Sequence, residues 1–485
     1  MRAEAGPEED IVDGSNDPLA RAGVSRRIAA GKEARRAAPR RAVLASTAGA
    51  PSRRDPVEIL QEQAQNRVPE LVPVRYARML ASPFAFFRGA AAIMASDLAA
   101  APASGLEVQL CGDAHLANFG MYASPERRLV FDINDFDETL PGPWEWDVKR
   151  LAASFEILGR HLGLPSAQRQ AVVAAVAQGY RDAMAEFAAL PALDMWRAQY
   201  DVEALLDLAQ RKGTRQRQRM LQANISKTLG RTSMQALAKL TEPTAQGPRI
   251  RNQPPVLERL VALAAGRLTE AQALEQVQSV LVEYTSSLAP DHARLLQEYE
   301  PVDAARKVVG VGSVGTRAFI ILLLGRLHGD PLFLQVKEAQ ASVLAAALGV
   351  PGPADHGKRV VRGQRLMQTT SDPFLGWTKA PGIDGVTRSY YVRQLRDWKG
   401  SADLETFDAA TATAYAGICA WALAKGHARS GDRAAILGYL GSGRTFAKGL
   451  VAFSQAYGDQ NEADYAELQA AAADGRIEVA PSIDG

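Results

Sequence analysis

The chain has 485 residues, 47% of them hydrophobic and 23% charged, with a formal net charge of +2, which suits two or three globular domains with a large core. The near-neutral balance excludes a strong pull toward nucleic acid or a membrane surface, sparse aromatics exclude a single-strand binding platform, and apolar runs such as 318–324 are too short to cross a bilayer. Two cysteines, Cys111 and Cys419, make no disulfide framework and fit a reducing, cytoplasmic setting.

Residues 1–54 are rich in Ala, Arg, Gly and Pro, acidic at first (Glu4, Glu8, Glu9, Asp10) and basic from Arg21 to Arg41. They are expected to be a disordered tail. No apolar h-region is present, so no secretory signal is expected, and the early acids count against an arginine-rich targeting peptide. Asp55-Pro56 reads as a helix cap with a first-turn proline. It opens a helical stretch over 55–100, interrupted at 68–73. Arg88, among Phe86 and Phe87, has two readings. It is a phosphate or carboxylate contact, or it snorkels to water from the core edge, the commoner use.

Residues 110–154 carry the sharpest signal. Five aspartates (Asp113, Asp132, Asp135, Asp137, Asp147) alternate there with short apolar runs, and desolvated carboxylates need a strong compensation such as a bound divalent cation. Asp113 and Asn118 stand five apart across a small-residue turn. That spacing suits an aspartate base followed by an asparagine ligand for magnesium. Leu129-Val130-Phe131 reads as a buried strand leading to Asp135 and Asp137. The plain alternative is a hairpin with solvated acids at its turn.

Helices are expected over 146–163 and 166–190. Residues 201–240 read as mostly helical, with a basic run from Arg211 to Arg219 that suits a solvated face better than a phosphate site. Residues 241–255 read as a proline-rich loop, and 256–265 and 269–288 as helices. Near Val302 the character changes. Gly310-Val311-Gly312-Ser313-Val314-Gly315 is followed by a β-type run at 316–324, whereas a dinucleotide-binding fingerprint needs a helix there. A turn at 328–331 leads to Leu332-Phe333-Leu334-Gln335-Val336-Lys337. A glycine loop between strands, with a lysine ending the third strand, is the protein-kinase arrangement. A β-meander with a solvated lysine is the alternative. Helices follow at 342–348 and 358–368. A strand at 389–395 is a candidate rest for an adenine ring. A long helix spans 407–427 and ends at His427, which either reaches the acidic site or sits beside the helix carbonyl dipole, the commoner use. The last helices are expected at 444–457 and 462–472.

At these residues the sequence resembles a bacterial family known as domain of unknown function 2252, over about residues 55–470. The motifs are SPFAFFRGAA, GDAHLANFG, FDINDFDE, WEWDVKRLAAS, GVGSVGTR, LQVKEA, YYVRQLRDWKGS, HARSGD and YGDQNEADY. More distantly, Cys111–Asn118 resembles the HGDxHxxN loop of aminoglycoside and choline phosphotransferases, and Asn134–Asp137 resembles their IDFD metal motif. By that resemblance Asp113 is the base, His115 belongs to the catalytic loop, Asn118, Asp135 and Asp137 are metal ligands, and Asp147 buttresses the loop. Cys111 departs from the usual histidine. No glutamate is placed to pair with Lys337, since Glu338 should face the other way along the strand.

The expected fold is α+β, kinase-like and two-lobed, with the halves in circularly permuted order, because the glycine loop follows the acidic loop. The expected divisions are a tail at 1–54, a helical large lobe at 55–301, a β-rich nucleotide-covering lobe at 302–399 and returning helices at 400–485. The expected function is an ATP- and magnesium-dependent phosphotransferase acting on a small-molecule or protein hydroxyl, with Gly310, Gly312, Ser313, Gly315 and Lys337 on the nucleotide. A non-catalytic nucleotide binder, a nucleotidyl transferase on the same scaffold and a two-metal hydrolase on Asp113, His115, Asp135 and Asp137 are the alternatives. No nucleic-acid or membrane partner is expected.

Overall fold

The computed structural model describes residues 23–45, 53–202, 215–308, 310–395 and 398–481. The fold is mixed α+β with antiparallel sheets. Its largest core is helical. Small residues let the long helices Ser166–Ala189 and Ala409–Ser430 approach closely: a Cβ on Gly179 would lie 3.1 Å from the Gly417 Cα and 3.2 Å from the Ala420 Cβ. Helices Trp144–His161, Arg433–Leu440 and Arg444–Ala473 complete this core. At its centre Trp144 stacks on Tyr180 with ring centroids 5.4 Å apart. Among the described residues no helix is long and apolar enough to cross a membrane.

Helix Trp144–His161 is buried nearly all round, although it carries Glu145, Asp147, Lys149, Arg150 and Glu156. Buried charges persist only when partnered. Glu145 accepts from the Ser104 N–H and hydroxyl, Glu156 accepts from Arg160 and Arg169, and the Lys149 ammonium lies over the Phe453 ring. Asp147 and Arg150 serve the acidic loop described below.

A six-stranded antiparallel sheet is the second body. Its spatial order is Gly376–Pro381, Thr387–Gln394, Pro331–Glu338, Ala318–Gly325, Tyr299–Lys307, Leu257–Arg259. Strand Pro331–Glu338 is buried on both faces. Alternation sends Leu332, Leu334 and Val336 to one apolar cluster and Phe333 to another. Lys337 shares the Phe333 face, and Glu338 takes the opposite face, where it meets Arg317 and Arg388. Helices Glu270–Thr285 and Pro290–Leu296 pack on this sheet, so residues before Val302 also build its core.

The chain differs from several sequence expectations. Val24–Ala37 and Arg40–Val43, within the expected disordered tail, are helices. A Cβ on Gly31 would meet the Ala435 carbonyl oxygen at 1.8 Å, so the two backbones touch. Small residues, which lowered the apparent hydrophobicity of this segment, are what permit that docking. Residues 1–22 and 46–52 lie outside the described residues, as do Arg211–Thr214 of the basic run. The expected loop at 241–255 holds a hairpin, Thr241–Thr244 paired with Gly247–Ile250. The expected helix at 256–265 begins as the edge strand Leu257–Arg259 and turns helical only over Leu260–Leu263. The two last helices are one, Arg444–Ala473.

Candidate active site

The acidic loop hangs from Asp147. Its carboxylate accepts the Cys111 N–H at 2.8 Å and the Gly112 N–H at 3.0 Å, and lies 3.2 Å from His427 Nε2. The other nitrogen of His427 meets the Tyr180 hydroxyl at 2.7 Å. His427 is fully buried and reaches the site only through Asp147. Three residues along the same helix, Arg150 donates through Nε to Asp113 Oδ1 at 2.7 Å and through Nη2 to the Phe87 carbonyl at 2.8 Å, with Nη2 also 2.7 Å from Asp113 Oδ1 in an ion pair. Asp113 Oδ2 remains open, 3.7 Å from His115 Nε2. Asn118 donates to the Asp113 carbonyl at 2.9 Å, which fixes its amide and leaves its Oδ1 as an acceptor.

The Asn134–Asp137 turn follows the hairpin Phe119–Ala123 and Leu129–Ile133. The Asp137 N–H donates to Asp135 Oδ1 at 3.1 Å, a tight turn that sets the two carboxylates together. Lys337 Nζ lies 2.6 Å from Asp137 and 3.8 Å from Asp135, a contact spanning 200 residues of sequence. Sheet register explains a further partner. Lys337 stands directly opposite Tyr391, so both side chains leave the same face, and the Tyr391 hydroxyl donates to Asp137 Oδ1 at 2.6 Å. Tyr391 thus binds the acid rather than offering only a surface for an aromatic ring. Arg359 closes the turn from below, donating to the carbonyls of Asp137 at 2.8 Å and Thr139 at 2.6 Å.

Asp113, His115, Asn118, Asp135, Asp137, Gly310, Gly312 and Ser313 line one cavity of about 240 Å³. Lys337 sits behind Asp137, 3% exposed against 28% for that acid. Gly315 packs outside the cavity against the Arg67 side chain, and its carbonyl accepts the Val68 N–H at 2.8 Å. Gly310 and Gly315 adopt left-handed φ of 68° and 88°, which glycine alone takes without strain. The helical segment before the acidic loop holds the glycine loop: Arg78 donates to the Gly310 carbonyl at 2.5 Å and Arg67 to that of Val314. Arg88 is half-buried and lines the cavity, and its Nε has no partner among the described residues.

Burial, then Asp137, pushes the Asp135 carboxyl up. Burial also works against Asp137, but Lys337 and the Tyr391 hydroxyl outweigh it and hold that acid below the usual carboxylate range. The Lys337 ammonium is lost to burial in part, yet Asp135 and Asp137 more than restore it and raise its pKa. Burial lowers His115 to about 4, so its imidazole is neutral. Burial pushes Glu138, also on the cavity wall, up to about 7. Among the described residues no three His, Cys, Asp or Glu side chains form a ready metal cage. Magnesium needs none, since it takes one or two carboxylates and completes its shell with phosphate and water. Asp135 and Asp137 line one cavity with Asn118, and such an ion would share Asp137 with Lys337 and Tyr391.

Tyr391, Arg150, Arg67 and Arg359 were not singled out in the sequence. Arg150 had a legible signal, three residues after Asp147 and so on the same helix face. Tyr391 had none before the strand register was known.

The sequence model of a family described as "Uncharacterized protein conserved in bacteria (DUF2252)" matches residues 67–471. No curated protein and no solved structure matches the chain. The chain belongs to that family.

Proposed function

We propose that this member of the DUF2252 family is an ATP- and magnesium-dependent phosphotransferase acting on a hydroxyl-bearing substrate, on a circularly permuted kinase-like scaffold. The observation that carries the reading is the Lys337–Asp137 contact at 2.6 Å, which joins the glycine-loop sheet to the wall of the Asp113 cavity. Asp113 Oδ2 takes the proton of the substrate hydroxyl as its oxygen attacks the γ-phosphorus, and the bond to the β-phosphate oxygen breaks to release ADP. Arg150 holds that carboxylate in place, with the His115 imidazole beside it. Lys337 and the glycine-loop amides position the phosphates. Asn118, Asp135 and Asp137 would hold the magnesium, which neutralises phosphate charge when bound.

Connectivity supports the permutation. Helix Ala409–Ser430, which follows the sheet, ends beside strand Glu107–Leu110, where Ser430 Oγ accepts the Gln109 N–H at 3.1 Å. That strand runs directly into the acidic loop. Reading from the sheet through this helix and then from Glu107 onward restores the kinase order.

A non-catalytic nucleotide binder is the second reading. It is favoured by the lysine's partner, a candidate metal ligand rather than a separate helix glutamate. Calorimetry of nucleotide binding with and without magnesium tests the scaffold: Asp135→Ala abolishes magnesium-dependent binding if the reading holds, and unchanged affinity contradicts it. A steady ATPase rate that disappears in Asp113→Asn separates the enzyme from the binder, and mass spectrometry of the products separates phosphoryl from nucleotidyl transfer.

A further inference from the structure

A second cavity, of about 230 Å³, opens where strand Thr387–Gln394 leaves the sheet. Arg127, Arg393 and Lys399 line it with a single carboxylate, Asp372. That carboxylate is already committed, since Oδ1 accepts the Phe374 N–H at 2.9 Å and Oδ2 accepts the Gln394 N–H. Its charge also faces Lys399 and Arg393, one carboxylate against two cations. Arg393 is anchored through Nη1 to the Asn134 carbonyl at 2.9 Å and through Nε to Gln335 at 3.1 Å. No oxygen among the described residues accepts a hydrogen bond from the Lys399 ammonium, and burial, then Arg393, lowers its pKa to about 7.

The backbone around this cavity is also strained. Arg127 and Trp398 are two of the three non-glycine residues with positive φ among those described, at 61° and 52°. Such conformations are disfavoured for residues with a Cβ and gather at ligand sites. The Arg127 guanidinium lies over the Trp398 ring, 4.1 Å from its centroid. That stacking brings the hairpin turn onto the segment that carries Lys399 and sets the mouth of the cavity.

We infer that this cavity is a binding site for a small phosphate- or carboxylate-bearing anion, held by Lys399 and Arg393. The site is separate from the acidic cavity and does not rest on the phosphotransferase reading. The two are joined by one residue step. Arg393 holds the carbonyl of Asn134, which precedes Asp135, and the Asn134 N–H donates to the Asn118 carbonyl at 2.8 Å. An anion on Arg393 therefore pulls on the turn that carries the metal motif.

Isothermal titration of the full chain with inorganic phosphate, and separately with malonate, tests the site. One anion is expected to bind per chain. Lys399→Met should weaken binding at least tenfold, Lys399→Arg should restore most of it, and Asp113→Asn should leave it unchanged. The preference between the two probes tells a phosphate site from a carboxylate site. Equal affinity in wild type and Lys399→Met, loss of the anion in Asp113→Asn, or no binding of either probe to the wild type overturns the inference. Should Lys399→Met not fold, Lys399→Gln replaces it and is read by the same criteria. Because Asp113→Asn removes phosphoryl transfer under the phosphotransferase reading, failure of one proposal is visible independently of the other.

Discussion

His115 shows how one buried side chain ties the site to stability. Its imidazole is 4% exposed and its pKa falls to about 4, driven by burial. In the unfolded chain the same group titrates near 6.5. Between those values the unfolded state binds the proton and the folded state does not, so stability is present above the unfolded pKa and is lost as pH falls through that window. The full shift corresponds to about 3 kcal/mol. Urea unfolding of wild type and His115→Gln from pH 7 to pH 4 should give curves that converge by about that amount as the pH drops; parallel curves refute the assignment. Asp147 is the complementary case, a carboxylate whose work is to hold backbone. Asp147→Ala leaves two buried N–H donors and His427 without their acceptor, at a cost of about 3 kcal/mol. A midpoint shift below a third of that in denaturant unfolding would mean that the loop is supported elsewhere. The role of Asp147 is expected from the resemblance alone, and His427 is one of the residues weighed as reaching the site; that the two meet, more than two hundred residues apart, only the packing of two helices decides.

At the scale of elements, the strands and long helices were legible because their apolar periods are strong. The buried strand Leu129–Ile133 and the lysine-bearing strand Pro331–Glu338 both form as read. Failures fell where tertiary contact outweighs local composition. Thr241–Thr244 contains a proline yet forms an edge hairpin, which tolerates proline because one side needs no donor. Helix Val24–Ala37 has almost no apolar stripe and docks through backbone proximity instead. That docking makes a prediction against helix propensity. Gly31→Leu replaces a poor helix former by a good one, worth about 1 kcal/mol in favour, but its side chain collides with the Ala435 carbonyl. Overpacking of this kind costs about 1–3 kcal/mol. The melting temperature should fall, and trypsin should cut at Arg35 to Arg41 in the variant where the wild type resists. A rise in melting temperature without new cuts would show that the two helices do not need close contact.

Over the whole molecule, the acidic loop is fixed by the helical core and the lysine by the sheet, and each body contributes what the other lacks. The sequence leads us to expect both halves on one nucleotide, but nothing in local pattern says that Lys337 takes Asp137 as its partner. It also hid the contribution of the segment before the acidic loop, whose Arg67, in a turn, and Arg78, on helix Val72–Met79, grip the glycine loop. No local pattern places backbone carbonyls in front of these two arginines. Those contacts make the cavity a meeting point of three regions of the chain. The most direct test is a crystal structure with magnesium and a non-hydrolysable ATP analogue. The account predicts phosphate oxygens within hydrogen-bond reach of Lys337 Nζ, a metal ion on Asp135, and the glycine loop over the triphosphate. A nucleotide seated away from Asp135 and Lys337 would contradict it.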